Sequence, residues 1–161
     1  MLPILRQRIT AKGVQPVVHA NFQFESFYLF GAVEPATGAH FILELPHLNT
    51  AHFQIFVDHF AQQDTESFHL LVLDNAAFHK TQNLNLPANV GLLFLPAYAP
   101  ELNPIERFWR DLKDWLSKHQ PQSLDELSEL IVSRLKEYTA AAIRSLTAFD
   151  YLLSAFDHAI G

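Results

Sequence analysis

Two kinds of hydrophobic pattern divide the chain. Residues 22–33 (FQFESFYLFGAV) and 40–45 (HFILEL) crowd aromatic and β-branched residues into short runs that read as strands. The EPATG turn at 34–38, with Pro and Gly in suitable places, joins them into a hairpin. At 50–63 the period changes. Phe53, Phe56, Val57 and Phe60 fall on the i, i+3, i+4, i+7 stripe of an amphipathic helix. FHLLVLD (68–74) and VGLLFLP (90–96) are nearly continuous apolar runs, as in strands buried on both faces of a sheet. A Pro-rich turn leads to helices over 104–118 and 124–138, the second with Ser123 and Glu126 placed as a capping box, and to a helix over 140–157. The order hairpin, helix, strand, connection, strand, helices predicts an α/β fold with a mixed sheet. No repeat or low-complexity linker interrupts it, so residues 1–161 are expected to form a single domain.

The candidate chemistry lies where two of these runs end. In open α/β sheets, sites form outside the carboxyl ends of the buried strands. Asp74 stands at one such end, and Glu106 follows the other within LPAYAPELNPIERFWRDLK (95–113). Each acid has an ordinary reading. Asp74-Asn75 is a turn sequence. Asn103, Pro104 and Glu106 suit the cap, first and third positions of a helix. Taken together they suggest more. The acids are 32 residues apart with one buried strand between them. Parallel pairing of 68–74 with 90–96 would bring both to the same end of the sheet. Two carboxylates converging there suit Mg²⁺ or Mn²⁺, which prefer hard oxygen ligands. Two such ions about 3.5–4 Å apart can clamp an in-line displacement at phosphorus, and a third carboxylate is expected for that chemistry.

Composition and charge change the picture little. The chain is 49% apolar with 14 Phe, enough for a sizeable core. It has no Cys, which excludes disulfides and thiolate metal sites and fits a reducing cytoplasm. No run approaches a membrane span, so no membrane association is expected. The net charge of −6 makes it a poor non-specific DNA binder by charge alone. Residues 1–24, however, carry Arg6, Arg8 and Lys12 and no acid. Nine His are present, and His52 and His59 share a helix face, but neither has the spacing of a zinc motif. The bases Arg107, Arg110, Lys113 and Lys118 alternate with Asp111 and Asp114, as on a solvated helix face.

LVLDNAAFHK followed by LPAYAPELNPIERFWRDLK resembles the DDE transposases of bacterial insertion sequences in the mariner-like superfamily. The shared pattern is Asp74-Asn75-Ala76 with His79, then Leu95-Pro96, Tyr98, Pro100 and Leu102-Asn103-Pro104-Ile105-Glu106, then Trp109 and Lys113 on a helix. Weaker similarity runs through Gly31, Pro35 and Gly38 and on to SLTAFDYLLSAF. The resemblance implies an RNase H-like mixed sheet with flanking helices. It implies three acids that bind two divalent ions, Mg²⁺ or Mn²⁺, for DNA strand cleavage and strand transfer. Asp74 is similar to the second acid and Glu106 to the third. Asn75, His79 and Asn103 match motif positions without an assigned chemical step. The implied partners are the transposon ends and target DNA, with self-association.

The departure from the family lies upstream. Family members carry the first acid on the first strand, just before a segment matched here by Pro3, Arg8, Lys12-Gly13 and Pro16, with Ile9 in place of the usual Trp. No acid precedes Glu25. The first, central strand is therefore expected to be missing, together with an upstream helix-turn-helix. An upstream polypeptide, joined for instance by frameshifting, would supply both. Removing a central strand exposes backbone edges. The chain alone is expected to be unstable, to borrow a strand from another copy, or to have repacked. Two functions follow: a catalytic domain that is inactive or incomplete alone, or a non-catalytic remnant acting as a binding or dimerisation module.

Overall fold

The computed structural model describes residues 27–74, 83–97, 102–151, 153 and 154, together with the backbone of a strand at 5–10. Among these residues the elements are β1 (Leu5–Thr10), β2 (Tyr28–Val33), β3 (His40–Leu45), α1 (Thr50–Ala61), β4 (Phe68–Leu73), β5 (Val90–Phe94), α2 (Ile105–Leu116), α3 (Leu124–Glu137) and α4 (Ala140–Thr147). The strands form one sheet in the order β3-β2-β1-β4-β5. β2 pairs antiparallel with both β3 and β1, whereas β1, β4 and β5 run parallel. With helices on both faces, this is the RNase H-like mixed sheet expected from the sequence.

One expectation is corrected. The central strand position is filled, by Leu5–Thr10, which pairs with β4 from Leu5↔Phe68 to Ile9↔Val72 and with β2 at Ile9↔Val33 and Thr10↔Ala32. The physical reason is the demand of the two neighbours. β2 and β4 each present a row of backbone donors and acceptors that must be met. A segment free of Pro and Gly, with β-branched Ile9 and Thr10, can meet both.

The hairpin is tight because of its turn. Glu34 N donates to Ala39 O and Gly38 N to Glu34 O, both at 2.8 Å. Gly38 has φ +78°, and a Cβ there would fall 2.0 Å from Ala140 O, so only glycine fits between this turn and the start of α4. Asn49 caps α1, its side chain accepting from His52 N at 3.0 Å. The α1 stripe Phe53, Phe56, Val57 and Phe60 packs on Phe30, Ala32, Leu71, Leu73 and Val90. On the other face α2, α3 and α4 bury Ile105, Phe108, Trp109, Leu112, Leu127, Ile131 and Ile143 against Leu29 and Val33.

Three boundaries differ from expectation. β5 is not buried on both faces. It is an edge strand, with Leu93 52% and Phe94 36% exposed. The capping box of α3 is offset by one residue: Glu126 N donates to Ser123 Oγ at 3.1 Å, but the Glu126 carboxylate accepts from Gln122 N at 2.7 Å. The helix expected over 140–157 stops at Thr147. Ala148 leaves the helical region (φ −79°, ψ 93°), and residues 155–157 lie outside the described residues.

Candidate functional site

Asp74 directly follows β4 and is half-buried. Its level in the sheet can be counted. Ile9 pairs with Val72 and Thr10 with Ala32, so Asp74 and Gly31 stand at the same level, one residue beyond the last residue of β1. Its face follows from alternation. Leu71 and Leu73 belong to the α1 face, so Leu70, Val72 and Asp74 belong to the opposite one, which α2 covers. On the other side Leu95 N donates to Leu73 O at 2.7 Å, holding the exit of β5 beside the exit of β4.

Glu106 is the second residue of α2 and is half-buried, flanking the buried stripe Ile105, Phe108, Trp109, Leu112 and Leu116. One helical turn further, Trp109 lies on Gly31. A Cβ at Gly31 would meet Trp109 Cζ2 and Ile42 Cδ1, each at 2.7 Å. Gly31 thus lets the α2 tryptophan approach the strand at the level of Asp74. Asp74 thus lies at the exit of β4 on the face that α2 covers, and Glu106 lies in the first turn of that helix, one turn from the tryptophan on Gly31.

Asn103 is 1% exposed. Its side-chain oxygen accepts from Ile105 N at 3.4 Å and its carbonyl from Glu106 N at 3.1 Å. Pro104 already has helical dihedrals (φ −62°, ψ −25°). The side chain thus reaches the residue before Glu106, one short of the position expected for a capping box. Asn75, His79, Tyr98 and Pro100 lie outside the described residues. Among the described residues no three His, Asp or Glu form a cluster that could hold a metal ion. Glu34, the most buried acid there, serves its own turn by accepting from Thr37 Oγ1 at 2.5 Å. None of the six residues of β1 is acidic.

Farther along α2, Asp111 ties the helix to α3. It accepts from Tyr138 Oη at 2.5 Å and from Arg134 Nη2 at 3.2 Å. Burial, and then the bond to Asp111, push the Tyr138 hydroxyl well above the usual tyrosine range. The Arg134 guanidinium lies over the Tyr138 ring at 4.6 Å and the Trp115 ring at 5.5 Å. Trp109 is buried and Trp115 half-buried, so both pack. Two features escaped the sequence reading. The close approach at Gly31 had a signal, a glycine inside an aromatic strand. The turn at 149–151, which returns to the start of α2, had none. No helix among the described residues is long and apolar enough to cross a membrane.

Comparison with known proteins follows the same lines. The chain is 37% identical over 102 residues to the uncharacterized protein y4pE/y4sA of Sinorhizobium fredii (strain NBRC 101917 / NGR234), covering 62% of this chain and 76% of that one. Its fold is similar to a chain of the simian T-cell lymphotropic virus intasome in complex with PP2A regulatory subunit B56 gamma. The TM-score is 0.52 at 13% identity, over 79% of this chain and 48% of that chain. It also matches the catalytic core domain of BIV integrase with a TM-score of 0.48 at 20% identity, over 86% of this chain and 79% of that one. This chain thus spans about half of the intasome chain, and the likeness bears on the fold alone. The DDE superfamily endonuclease family matches residues 3–128, which include both acids and all five strands; the chain belongs to that family.

Proposed function

We propose that this chain is the catalytic domain of a bacterial insertion-sequence transposase of mariner-like type, with Asp74 and Glu106 as two carboxylates of its metal site. One observation carries the reading. Asp74 stands level with Gly31 on the α2 face, and Glu106 is one turn from the tryptophan that lies on Gly31. Two half-buried carboxylates at one sheet end are a hard-oxygen donor set that fits Mg²⁺ or Mn²⁺. Bound there, such an ion supplies Lewis-acid stabilisation of charge at a phosphodiester. The chain's own residues hold that position. Asp74 is fixed by the exit of β4, and Glu106 by a helix start that Asn103 braces. Without a cation the paired carboxylates would repel a DNA backbone; the cation reverses that. The substrates are the transposon ends and target DNA, in the cytoplasm, with self-association of the catalytic chain.

A second reading is favoured by β1. The strand in the central place carries no acid, so the three-acid set is incomplete among the described residues. On this reading the chain is a remnant that binds or dimerises. On the first, an upstream polypeptide supplies an acid-bearing strand that displaces Leu5–Thr10, together with a helix-turn-helix.

The test is Mn²⁺ titration of the full chain, followed by electron paramagnetic resonance. Asp74→Asn and Glu106→Gln should each weaken binding about tenfold or more, as expected for loss of one charged ligand. Unchanged affinity in both variants overturns the metal site. DNA nicking that appears on adding the upstream polypeptide decides for the catalytic reading; no nicking with metal bound decides for the remnant.

A further inference from the structure

After α4 ends at Thr147, the chain turns back towards the start of α2 and meets it on both sides of Glu106. On one side, Tyr151 Oη donates to Leu102 O at 3.3 Å. On the other, the Arg107 guanidinium lies 4.0 Å from the centre of the Phe149 ring. The Phe149 and Tyr151 rings stack on each other, 5.4 Å apart and 12° from parallel. One rigid aromatic pair thus grips residues 102 and 107, which bracket the proposed ligand.

The path of the chain explains how two such residues reach that place. Thr147 is buried and its hydroxyl bonds back to Ile143 O at 2.7 Å. Ala148 N donates to Arg144 O at 2.8 Å, while its ψ of 93° takes the chain out of the helix. A new turn then forms, with Leu153 N donating to Phe149 O at 3.1 Å. The exit is therefore built and directed. Tyr151 is nevertheless 49% exposed, a position where an aromatic side chain gains little from burial alone.

The start of α2 has need of such support. Its first turn is tight, with Glu106 N bonded to Asn103 O and Arg107 N to Pro104 O, both at 3.1 Å. First turns fray because their donors lack the partners available in a helix interior. A carboxylate that must meet a cation within a fraction of an ångström cannot ride on a fraying turn.

We propose that Phe149 and Tyr151 are positioning residues that clamp the first turn of α2 and so hold Glu106 at the metal site. This rests on the reading of Asp74 and Glu106 given above. Both residues lie beyond the 3–128 segment matched by the family.

The test uses the full chain and two readouts. Amide hydrogen exchange by nuclear magnetic resonance, without metal, reads the clamp itself. Phe149→Leu and Tyr151→Phe should each speed exchange at Glu106 and Arg107 about two- to fivefold, the size of one exposed cation–π contact or one net hydrogen bond. The amides of Leu112 and Leu116 should not change. Mn²⁺ affinity should fall by about the same factor, and Phe149→Tyr, which keeps a ring under Arg107, should retain it. Unchanged exchange at Glu106 and Arg107 overturns the clamp whatever the metal does. Faster exchange there with undiminished Mn²⁺ affinity, where Glu106→Gln does weaken binding, overturns the positioning role alone. Mn²⁺ affinity unmoved by Glu106→Gln overturns the underlying site reading, and the metal half of the clamp's role goes with it.

Discussion

The two faces of the sheet are built from different materials. Under α1 the filling is hydrocarbon: Phe30, Phe53, Phe56, Phe60, Leu71 and Leu73 are all fully buried. Neighbouring rings stand 5.9 to 6.3 Å apart. The buried polar group on this side is His69, at the amino end of β4, and its Nε2–H donates to Asp64 O at 2.8 Å. Under α2 the filling is also apolar, but polar joints and one close contact run through it: Asn103 at the helix start, Trp109 on Gly31, Asp111 between Tyr138 and Arg134. Hydrophobic burial is non-directional and tolerates small slides. Hydrogen bonds and a steric notch do not. The α1 face makes the domain stable, whereas the α2 face fixes where one helix lies along one strand, which is what a ligand on that helix requires.

The largest expected effect breaks the first half of that contrast. Phe56→Ala should cost about 3–5 kcal/mol in chemical denaturation, with Phe56→Leu as a milder companion that stays folded. In that companion Mn²⁺ affinity should be unchanged, and a loss of affinity would show that the faces are not separable. Next in size is Gly31→Ala. The added methyl must displace either the flexible end of Ile42 or the rigid, buried ring of Trp109, each 2.7 Å away. Overpacking of this kind costs about 1–3 kcal/mol. Here the smaller destabilisation should come with the larger loss of Mn²⁺ affinity, because the ring that shifts is one turn from Glu106. Unaltered affinity with reduced stability would mean that Ile42 absorbs the methyl and that α2 does not depend on the notch.

Much of this was legible in the sequence, and the exceptions share a cause. The hairpin, the α1 stripe, the two parallel strands and the α2 helix all appeared, because period and run length report burial directly. Asp74 and Glu106 were legible as candidates because strand ends and helix starts are legible. β1 was not. The strand character of Leu5–Thr10 is decided by the open edges of β2 and β4, two elements distant in sequence, and not by its own pattern. The exposure of Leu93 and Phe94 was illegible for the same reason, since an apolar run cannot say whether it ends up central or at an edge. The 149–151 turn depended on where α4 stops. Ala148 carries no breaker signal, and the buried Thr147 bond that marks the exit exists only in the folded chain.

The smallest effect sharpens the contrast by pH. Tyr138 is the joint between α3 and α2, and its hydroxyl proton is held by burial and by the Asp111 carboxylate. An unfolded tyrosine releases that proton near pH 10. The folded one keeps it to higher pH. The joint's contribution is therefore complete below about pH 10 and is lost as pH rises from there through the raised folded value, because only the unfolded state gains by ionising. Tyr138→Phe should cost about 1 kcal/mol at neutral pH, since Asp111 keeps its bond to Arg134. Denaturation midpoints measured from pH 8 to 11 should fall more steeply for the wild type than for Tyr138→Phe, so that the two curves approach each other at the alkaline end. In a Phe56→Leu background the same convergence should persist, because Phe56 packs on the opposite face of the sheet from Tyr138. Parallel curves would mean that the Tyr138 joint does not tie α2 down in solution, and that the α2 face is held by packing as the α1 face is.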